Sequence, residues 1–207
     1  MKNSGLLIFQ GLRRQYLLFP LLMVAITLVV QFADVADGLF LRYQREEILS
    51  GQLWRLFSGH FVHASLTHFA LNTLAFLAIF YLFKEVISPR LWWLLTLISM
   101  VTVAAGLLLF NPEIHWYVGL SGVLHGLFAA GALFYLLQFD AQGFLYLILL
   151  LAKLLWEQLH GPLPSTAESI GVSVVTDAHL YGAIGGLISA TLLSARKRFL
   201  WPPSRSD

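Results

Sequence analysis

Residues 91–110 read LWWLLTLISMVTVAAGLLLF, a run of apolar and small polar residues without a single charged side chain. A helix that crosses a bilayer needs about 20 consecutive, mostly apolar residues, because the hydrocarbon core is about 30 Å thick. This run has that length and no charge to place in lipid. It therefore predicts a membrane-spanning helix.

The composition extends this prediction to the whole chain. Of its 207 residues, 58% are hydrophobic and 12% are charged, about half the charged share of a soluble protein, and the mean hydropathy is +0.75. These values exclude a soluble enzyme and a disordered chain. The net charge of +2 comes from basic residues spread along the chain, so we expect no binding face for nucleic acid. Without cysteine, neither a disulfide framework nor thiolate chemistry is possible.

Six segments are long and apolar enough, or nearly so, to cross a bilayer. They cover residues 16–33, 66–83, 91–110, 117–139, 143–159 and 178–195. We expect an all-α membrane protein, a six-transmembrane-helix bundle formed by one domain over residues 1–207, with no separate soluble domain. The first segment follows basic residues as a signal peptide does. Its apolar run is too long and lacks a clear small-x-small cleavage site, so we expect it to be retained.

The positions of Lys and Arg predict the orientation, because cytoplasmic loops carry an excess of both. With six spans, both termini and the second and fourth loops lie on one side. That side carries Lys2, Arg13, Arg14, Lys84, Arg90, Arg196, Lys197, Arg198 and Arg205. The other side carries Arg42, Arg45 and Arg55. We therefore expect both termini in the cytoplasm, and the first, third and fifth loops outside it.

The predicted second, fourth and sixth spans all begin at the outer face, and their first turns are polar. The second begins with His68 and Asn72, which are four residues apart and so share a helix face. The fourth begins around Ser121 and the sixth at His179. Polar groups are costly within a membrane, so their convergence in one leaflet indicates a functional site.

Small residues recur at every fourth position in two of these spans. The fourth span has Gly122, Gly126 and Ala130, and the sixth has Ala178, Gly182, Gly186, Ala190 and Ser194. Such faces let two backbones approach closely in lipid, and most of them serve packing alone. If these two faces pack together, Ser121 and His179 become neighbours at one depth.

A serine beside a histidine predicts nucleophilic catalysis, because the imidazole can take the hydroxyl proton. Ser121 lies at a helix start, where free amides and the helix dipole stabilise a developing oxyanion. His68 and Asn72 are candidates for further donors. No carboxylate is clearly placed to orient His179, and Asp177 is expected to cap the helix start. We therefore predict a Ser–His dyad.

These residues resemble the rhomboid intramembrane serine proteases, in motifs that follow the family's order over nearly the whole chain. The matching elements are Trp54-Arg55, His68-x-x-x-Asn72, Gly119-x-Ser121-Gly122 and Ala178-His179-x-x-Gly182-x-x-x-Gly186. The resemblance implies Ser121 as nucleophile, His179 as general base, and an oxyanion hole made by His68, Asn72 and the Ser121 amide. It also implies a structural role for Trp54 and Arg55 in the first loop, and a transmembrane protein substrate with small residues at the cleavage segment.

Two features depart from the commonest rhomboid pattern. His125 occupies the position where many rhomboids have a tyrosine that packs on the catalytic histidine. It can stack there, or it can compete for the Ser121 proton. The fifth span contains Lys153, Trp156 and Glu157, in a segment that lines the substrate entrance in rhomboids. This segment, the compact core, the run Gly-Leu-Ser-Gly-Val-Leu-His-Gly at 119–126 and the run Asp-Ala-His-Leu-Tyr-Gly at 177–182 together resemble the rhombosortase branch. That resemblance implies a bacterial inner-membrane enzyme for exported proteins with a C-terminal Gly-Gly motif, a hydrophobic span and a basic tail.

Several alternatives remain open. Lys153 and Glu157 can form a merely structural pair, or they can shape the substrate cleft. His60 and His63 could bind a metal, but no partner motif accompanies them, so we expect neither a metal nor a cofactor. A small transporter or proton relay, or an inactive rhomboid-like protein that binds clients, would also account for polar groups in a membrane.

Overall fold

The computed structural model of the protein describes residues 14–33, 40–138, 140–164 and 166–195. These residues are mainly helical, as predicted, with one short two-stranded sheet. In chain order the elements are α1 Arg14–Ala33, β1 Tyr43–Gln44, α2 Arg45–Leu49, α3 Arg55–Ser58, α4 Leu66–Phe83, α5 Pro89–Phe110, β2 Trp116–Tyr117, α6 Ser121–Leu137, α7 Ala141–His160, α8 Thr166–Ile170 and α9 Thr176–Ser194.

Among the described residues, four helices are long and apolar enough to cross a membrane. They are Tyr16–Ala33, Leu66–Phe83, Pro89–Phe110 and Ala141–His160, close to four of the predicted spans. The predicted fourth span begins too early, because residue 117 lies in β2 and the helix starts only at Ser121. With 17 residues, α6 is about 26 Å long at 1.5 Å per residue. The last predicted span corresponds to α9, of 19 residues, which is long enough but less apolar.

Several basic residues that carry the predicted orientation lie outside the described residues. They are Lys2, Arg13, Arg196, Lys197, Arg198 and Arg205. Residue 139, at the end of the predicted fourth span, lies outside them as well.

Helix α6 occupies the centre of the bundle and packs against α4, α5, α7 and α9. Its contact with α9 follows from the small residues that the two helices share. A Cβ atom added to Gly182 would overlap the Gly122 carbonyl, and one added to Gly186 would overlap the Gly126 carbonyl. The two backbones therefore touch, as the small-residue spacing predicts.

The N-terminal helix α1 is held by aromatic packing. Phe19 is fully buried, and its ring stacks on Trp92 of α5 with 5.4 Å between centroids. It also contacts Phe76 of α4 at 5.6 Å. Aromatic pairs at such distances add to the burial of apolar area, so α1 is fixed on the side of the bundle formed by α4 and α5.

The loops at one end of the bundle are joined by the short sheet. β1 and β2 are antiparallel, with Tyr43 opposite Tyr117 and Gln44 opposite Trp116. The Gly119 N–H also donates to the Gly59 carbonyl at 3.1 Å. The first loop thus holds the segment that leads into α6.

Arg55 and Trp54 stabilise the first loop, in the region where the sequence places them. The Arg55 guanidinium is buried and donates to the Gln52 side chain at 2.8 Å and to the Arg42 carbonyl at 2.9 Å. The Trp54 indole donates to the Phe40 carbonyl at 3.4 Å. These bonds bring distant parts of the loop together.

We expect Gly182→Ala to lower the stability of the protein by about 1–3 kcal/mol, because the added methyl group forces α6 and α9 apart. The melting temperature of the purified protein in detergent measures this loss. The matched control Ala152→Val adds methyl groups at an exposed position of α7 and is expected to melt like the unmodified protein. Equal melting temperatures for the two variants would contradict a close α6–α9 contact.

Candidate active site

Ser121 is the first residue of α6, and its hydroxyl faces α9. The Ser121 Oγ lies 2.9 Å from the His179 Nε2, a hydrogen-bonding distance. Ser121 is partly exposed, whereas His179 is 5% exposed. The structure thus brings together the two side chains that the sequence singles out.

The backbone contact between α6 and α9 positions this pair. A Cβ atom on Gly122 would lie 2.8 Å from the carbonyl oxygen of Ala178, the residue before His179. Only a glycine next to Ser121 allows this approach. A larger residue at position 122 would move the serine away from the imidazole.

Glu157 of α7 completes the hydrogen bonds of His179. The Glu157 Oε2 lies 2.9 Å from the His179 Nδ1, and the Lys153 Nζ lies 2.6 Å from the Glu157 Oε1. Glu157 is only 4% exposed. A carboxylate therefore lies beside His179, contrary to the expectation that none is clearly placed there. The sequence indicates the Lys153–Glu157 pair through its spacing, but not that it faces His179, because that depends on how α7 packs against α9.

Asp177 does not cap α9 with its side chain. Asp177 is the second residue of the helix, and the N-cap residue is Val175, whose side chain makes no capping hydrogen bond. Its carboxylate accepts a hydrogen bond from the Asn111 Nδ2 at 2.7 Å. Instead of the expected cap, the Asp177 side chain makes a hydrogen bond with the residue that follows α5.

His125 stacks on His179, which is one of the two roles that the sequence leaves open for it. The ring centroids are 4.1 Å apart and the planes differ by 15°. The His125 Nδ1 donates to the Ser121 carbonyl at 2.7 Å, since a carbonyl oxygen only accepts. In this arrangement the Ser121 hydroxyl is hydrogen-bonded to His179 and not to His125.

His68 and Asn72 lie on the first two turns of α4, beside Ser121. The Ser65 hydroxyl caps this helix by accepting from the His68 N–H at 3.1 Å. The His68 Nδ1 accepts from the Ala64 N–H at 3.4 Å, which leaves Nε2 as the ring nitrogen that carries hydrogen. The Asn72 Nδ2 is buried and has no hydrogen-bond partner among the residues that the structure describes. Both side chains line the same cavity as Ser121.

Gly119 makes room for His68. Its φ of +116° is one that residues with a side chain rarely adopt. A Cβ atom there would lie 2.7 Å from the His68 Cε1. This glycine therefore serves the turn and the imidazole, and does not belong to the α6–α9 contact with Gly122, Gly182 and Gly186.

Two cavities meet at Ser121 and Asn72. The larger, of about 480 Å³, is lined by these residues, His68, His179 and the loops before α6 and α9. The smaller, of about 260 Å³, lies between α4, α6 and α7 and is mainly apolar, with Lys153 and His125 in its wall. Trp156 lines neither cavity; it is 43% exposed and stacks on His160.

Comparison with known proteins assigns the chain to a family. The Rhomboid domain model matches residues 50–196 of the chain. The chain belongs to the rhomboid family. Its apolar helices, together with this membership, make it a multi-pass membrane protein.

One curated relative is the Rhomboid protease GlpG of Salmonella paratyphi A (strain ATCC 9150 / SARB42). It is 28% identical over 169 residues, which cover 80% of this rhomboid chain. The chain spans 58% of the length of that relative.

One group of side chains has the composition of a metal site. The ligand atoms of His125, Glu157 and His179 lie within 4.8 Å of one another. Each of these residues already has hydrogen-bond partners in the site, including Ser121 and Lys153. The geometry is therefore accounted for by hydrogen bonding, and that the protein needs no metal or cofactor stays a prediction.

His60 and His63 lie in the loop before α4 and are both buried. The His60 Nε2 donates to the Met100 carbonyl at 3.2 Å, and the His63 Nδ1 donates to the Phe61 carbonyl at 3.1 Å. Burial lowers the pKa of His60 to about 4 and that of His63 to about 3. Both are therefore neutral at pH 7, and one nitrogen of each ring is occupied by a hydrogen bond to a backbone carbonyl.

We expect the stability of the protein to fall as the pH is lowered from about 6.5 to 4. The unfolded chain takes up protons on His60 and His63 in this range, and the folded chain does not. For His60 alone the loss is about 3 kcal/mol, given its lowered pKa. Thermal unfolding of His60→Gln at several pH values should show a weaker pH dependence than the unmodified protein. The exposed control His160→Gln should keep the full dependence; an equal dependence in all three proteins contradicts the expectation.

Proposed function

We propose that this rhomboid-family chain is an intramembrane serine protease, with Ser121 as nucleophile and His179 as general base. The observation that carries the proposal is the 2.9 Å contact between the Ser121 Oγ and the His179 Nε2, at the point where two cavities meet. A transporter or proton relay does not need a serine in that position. An inactive client-binding protein does not need the imidazole.

The reaction begins when the Ser121 Oγ attacks the carbonyl carbon of the scissile peptide bond. His179 accepts the hydroxyl proton on Nε2, and the carbonyl π electrons move to its oxygen. When the tetrahedral intermediate collapses, the C–N bond breaks and the imidazolium returns its proton to the leaving amine. A water molecule then attacks the acyl-enzyme with His179 again as base, which releases the new carboxyl end and restores Ser121.

The oxyanion is stabilised by three donors around Ser121. The Ser121 N–H belongs to the first turn of α6, where backbone amides have no partner within the helix. The Asn72 Nδ2 is buried and unpartnered within the described part of the chain, and the His68 Nε2 carries hydrogen. Donors of this kind, directed at the developing charge, typically contribute a factor of about 10²–10³ each. His68 and Asn72 are thereby assigned to transition-state stabilisation.

The substrate enters from lipid through the smaller cavity, which lies between α4 and α7 and is apolar except for Lys153 and His125. Its limited volume of about 260 Å³ favours a segment of small residues next to the cleaved bond. We therefore propose a rhombosortase-type substrate, an exported protein with a C-terminal Gly-Gly motif, a transmembrane segment and a basic tail. The motifs around Ser121, His125 and His179 and the Lys153–Glu157 pair support this branch by resemblance.

The proposed placement in the membrane uses six spans in one domain over residues 1–207. Helices α6 and α9 are the two further spans beside the four long apolar helices. They need less apolar length because α6 is enclosed by other helices and the starts of both face the active-site cavity. Both termini face the cytoplasm of a bacterial cell, and the catalytic residues open to the periplasmic side of the inner membrane.

We expect a fluorophosphonate probe to label the protein at Ser121. Labelling should be lost in Ser121→Ala, and its rate should fall by about 10²–10⁴ in His179→Ala, because a general base contributes a factor of that size. His125→Ala should still be labelled, since its ring is bonded to a carbonyl and not to the hydroxyl. In-gel fluorescence of the purified variants measures these rates.

The control for labelling is Ser194→Ala, which removes an exposed hydroxyl from α9 and should label like the unmodified protein. Labelling that persists in Ser121→Ala would sink the proposed function. Loss in His125→Ala together with full labelling in His179→Ala would move the role of base to His125.

We expect exported proteins with a Gly-Gly tail to keep that tail in cells that lack this protein. Mass spectrometry of the C-termini in wild-type and deletion cells measures the difference. Cells complemented with Ser121→Ala should behave like the deletion, whereas cells complemented with Ser194→Ala should behave like the wild type. Tails that are processed equally in all four strains would exclude the proposed substrate class.

A further inference from the structure

The charged pair in α7 makes contacts that a salt bridge on its own does not require. Glu157 uses one carboxylate oxygen for Lys153 and the other for His179. We propose that Glu157, supported by Lys153, is a positioning residue that sets the tautomer and the orientation of the His179 imidazole. The proposal rests on the proposed protease function and adds a third member to its Ser–His pair.

The tautomer follows from the chemistry of the three groups in line. A carboxylate only accepts hydrogen bonds, so the hydrogen of the neutral imidazole must be on Nδ1. The Nε2 atom then presents a lone pair to the Ser121 Oγ at 2.9 Å. An imidazole with its hydrogen on Nε2 could not take the serine proton. Glu157 thus selects the one neutral form of His179 that can act as a base.

The orientation of the ring is fixed from its edge and from its face. Glu157 contacts the Nδ1 edge at 2.9 Å, and His125 lies against the ring plane with a 4.1 Å centroid distance. His125 is itself held by the Ser121 carbonyl. A base that must transfer a proton in one direction gains from such restraint, because misalignment is costly in proton transfer.

Lys153 explains how a carboxylate can be buried at this position. Glu157 is 4% exposed, and an unpaired carboxylate would be expensive there. The Lys153 Nζ donates at 2.6 Å, and its side chain remains about one-third exposed. The pair carries no net charge. When His179 takes the serine proton, the new positive charge lies next to the carboxylate and is stabilised by it.

The titratable groups around His179 come from three helices. Glu157 and Lys153 belong to α7, His125 to α6, and His68 to α4. Among the described residues, Glu157 is the one carboxylate whose oxygen contacts this ring. A purely structural pair between Lys153 and Glu157 needs only one carboxylate oxygen. It does not require Glu157 to lie opposite a particular residue of α9. The second oxygen therefore points to a role in the reaction.

The first test compares Glu157→Gln, Glu157→Asp and the exposed neighbour Gln158→Ala in purified protein that retains its melting temperature. The Gln amide can donate to Nδ1 and so favour the wrong tautomer. We expect kcat of Glu157→Gln to fall by about 10²–10⁴ while KM changes less than about threefold. Glu157→Asp should restore part of kcat, because it keeps the charge, and Gln158→Ala should behave like the unmodified protein.

The second test does not depend on a variant at position 157. ¹⁵N NMR of the unmodified protein, with the His179 signals assigned by their loss in His179→Gln, shows which ring nitrogen carries the hydrogen. We expect it on Nδ1. A hydrogen on Nε2 would overturn the proposal even if every Glu157 variant failed to fold.

The outcomes separate this proposal from the proposed function. If Ser121→Ala is inactive and Glu157→Gln keeps kcat within about threefold of the unmodified protein, the positioning role is wrong and the protease function stands. If Ser121→Ala keeps its activity, the protease function itself is wrong. A change in KM alone in Glu157→Gln would assign the pair to substrate binding and would also overturn the positioning role.

Discussion

The close approach of two helix backbones brings Ser121 and His179 together. Helices α6 and α9 touch at Gly122, Gly126, Gly182 and Gly186, where no side chain fits between them. In lipid the hydrophobic effect does not drive helices together, so close packing of small residues has to supply much of the attraction. The same contact sets the distance between Ser121 at the start of one helix and the histidine of the other. The contact between α6 and α9 therefore both packs the two helices together and positions Ser121 beside His179.

The other helices and loops refine that interface. Helix α7 contributes the Glu157 carboxylate to the Nδ1 edge of the imidazole, and α4 contributes His68 and Asn72 to the cavity that Ser121 lines. The short sheet, with two residues in each strand, joins the first loop to the segment before α6. The residues that lead to Ser121 are therefore held in place by the first loop. A catalytic group at a helix start needs such support, because the first turn has few internal hydrogen bonds. The polar residues at membrane depth are therefore held by neighbours from separate elements.

The helical architecture could be predicted from the sequence because it depends on local composition. Long apolar runs predict α1, α4, α5 and α7 within a few residues of their observed bounds. The start of α6 could not be predicted from hydropathy. Tyr117 adjoins the apolar run of this helix in the sequence, but it pairs with Tyr43 in a strand. That pairing joins positions far apart in the chain, and no local pattern reports it. Asp177 shows the same limit: its position fits a helix cap, but its carboxylate accepts a hydrogen bond from Asn111, the residue that follows α5.

For the site, the order of residues in the chain already predicts which polar side chains are available and which helix starts carry them. Ser121, His179, His68 and Asn72 stand out because polar groups are costly in a membrane and few are present. The contact of Glu157 with His179 and the stacking of His125 on the same ring depend on how the helices pack. The physical reason is that a helix can present a side chain to any neighbour on that face. The rotation and register of α7 against α9 select the partner, and both arise from packing across the whole bundle.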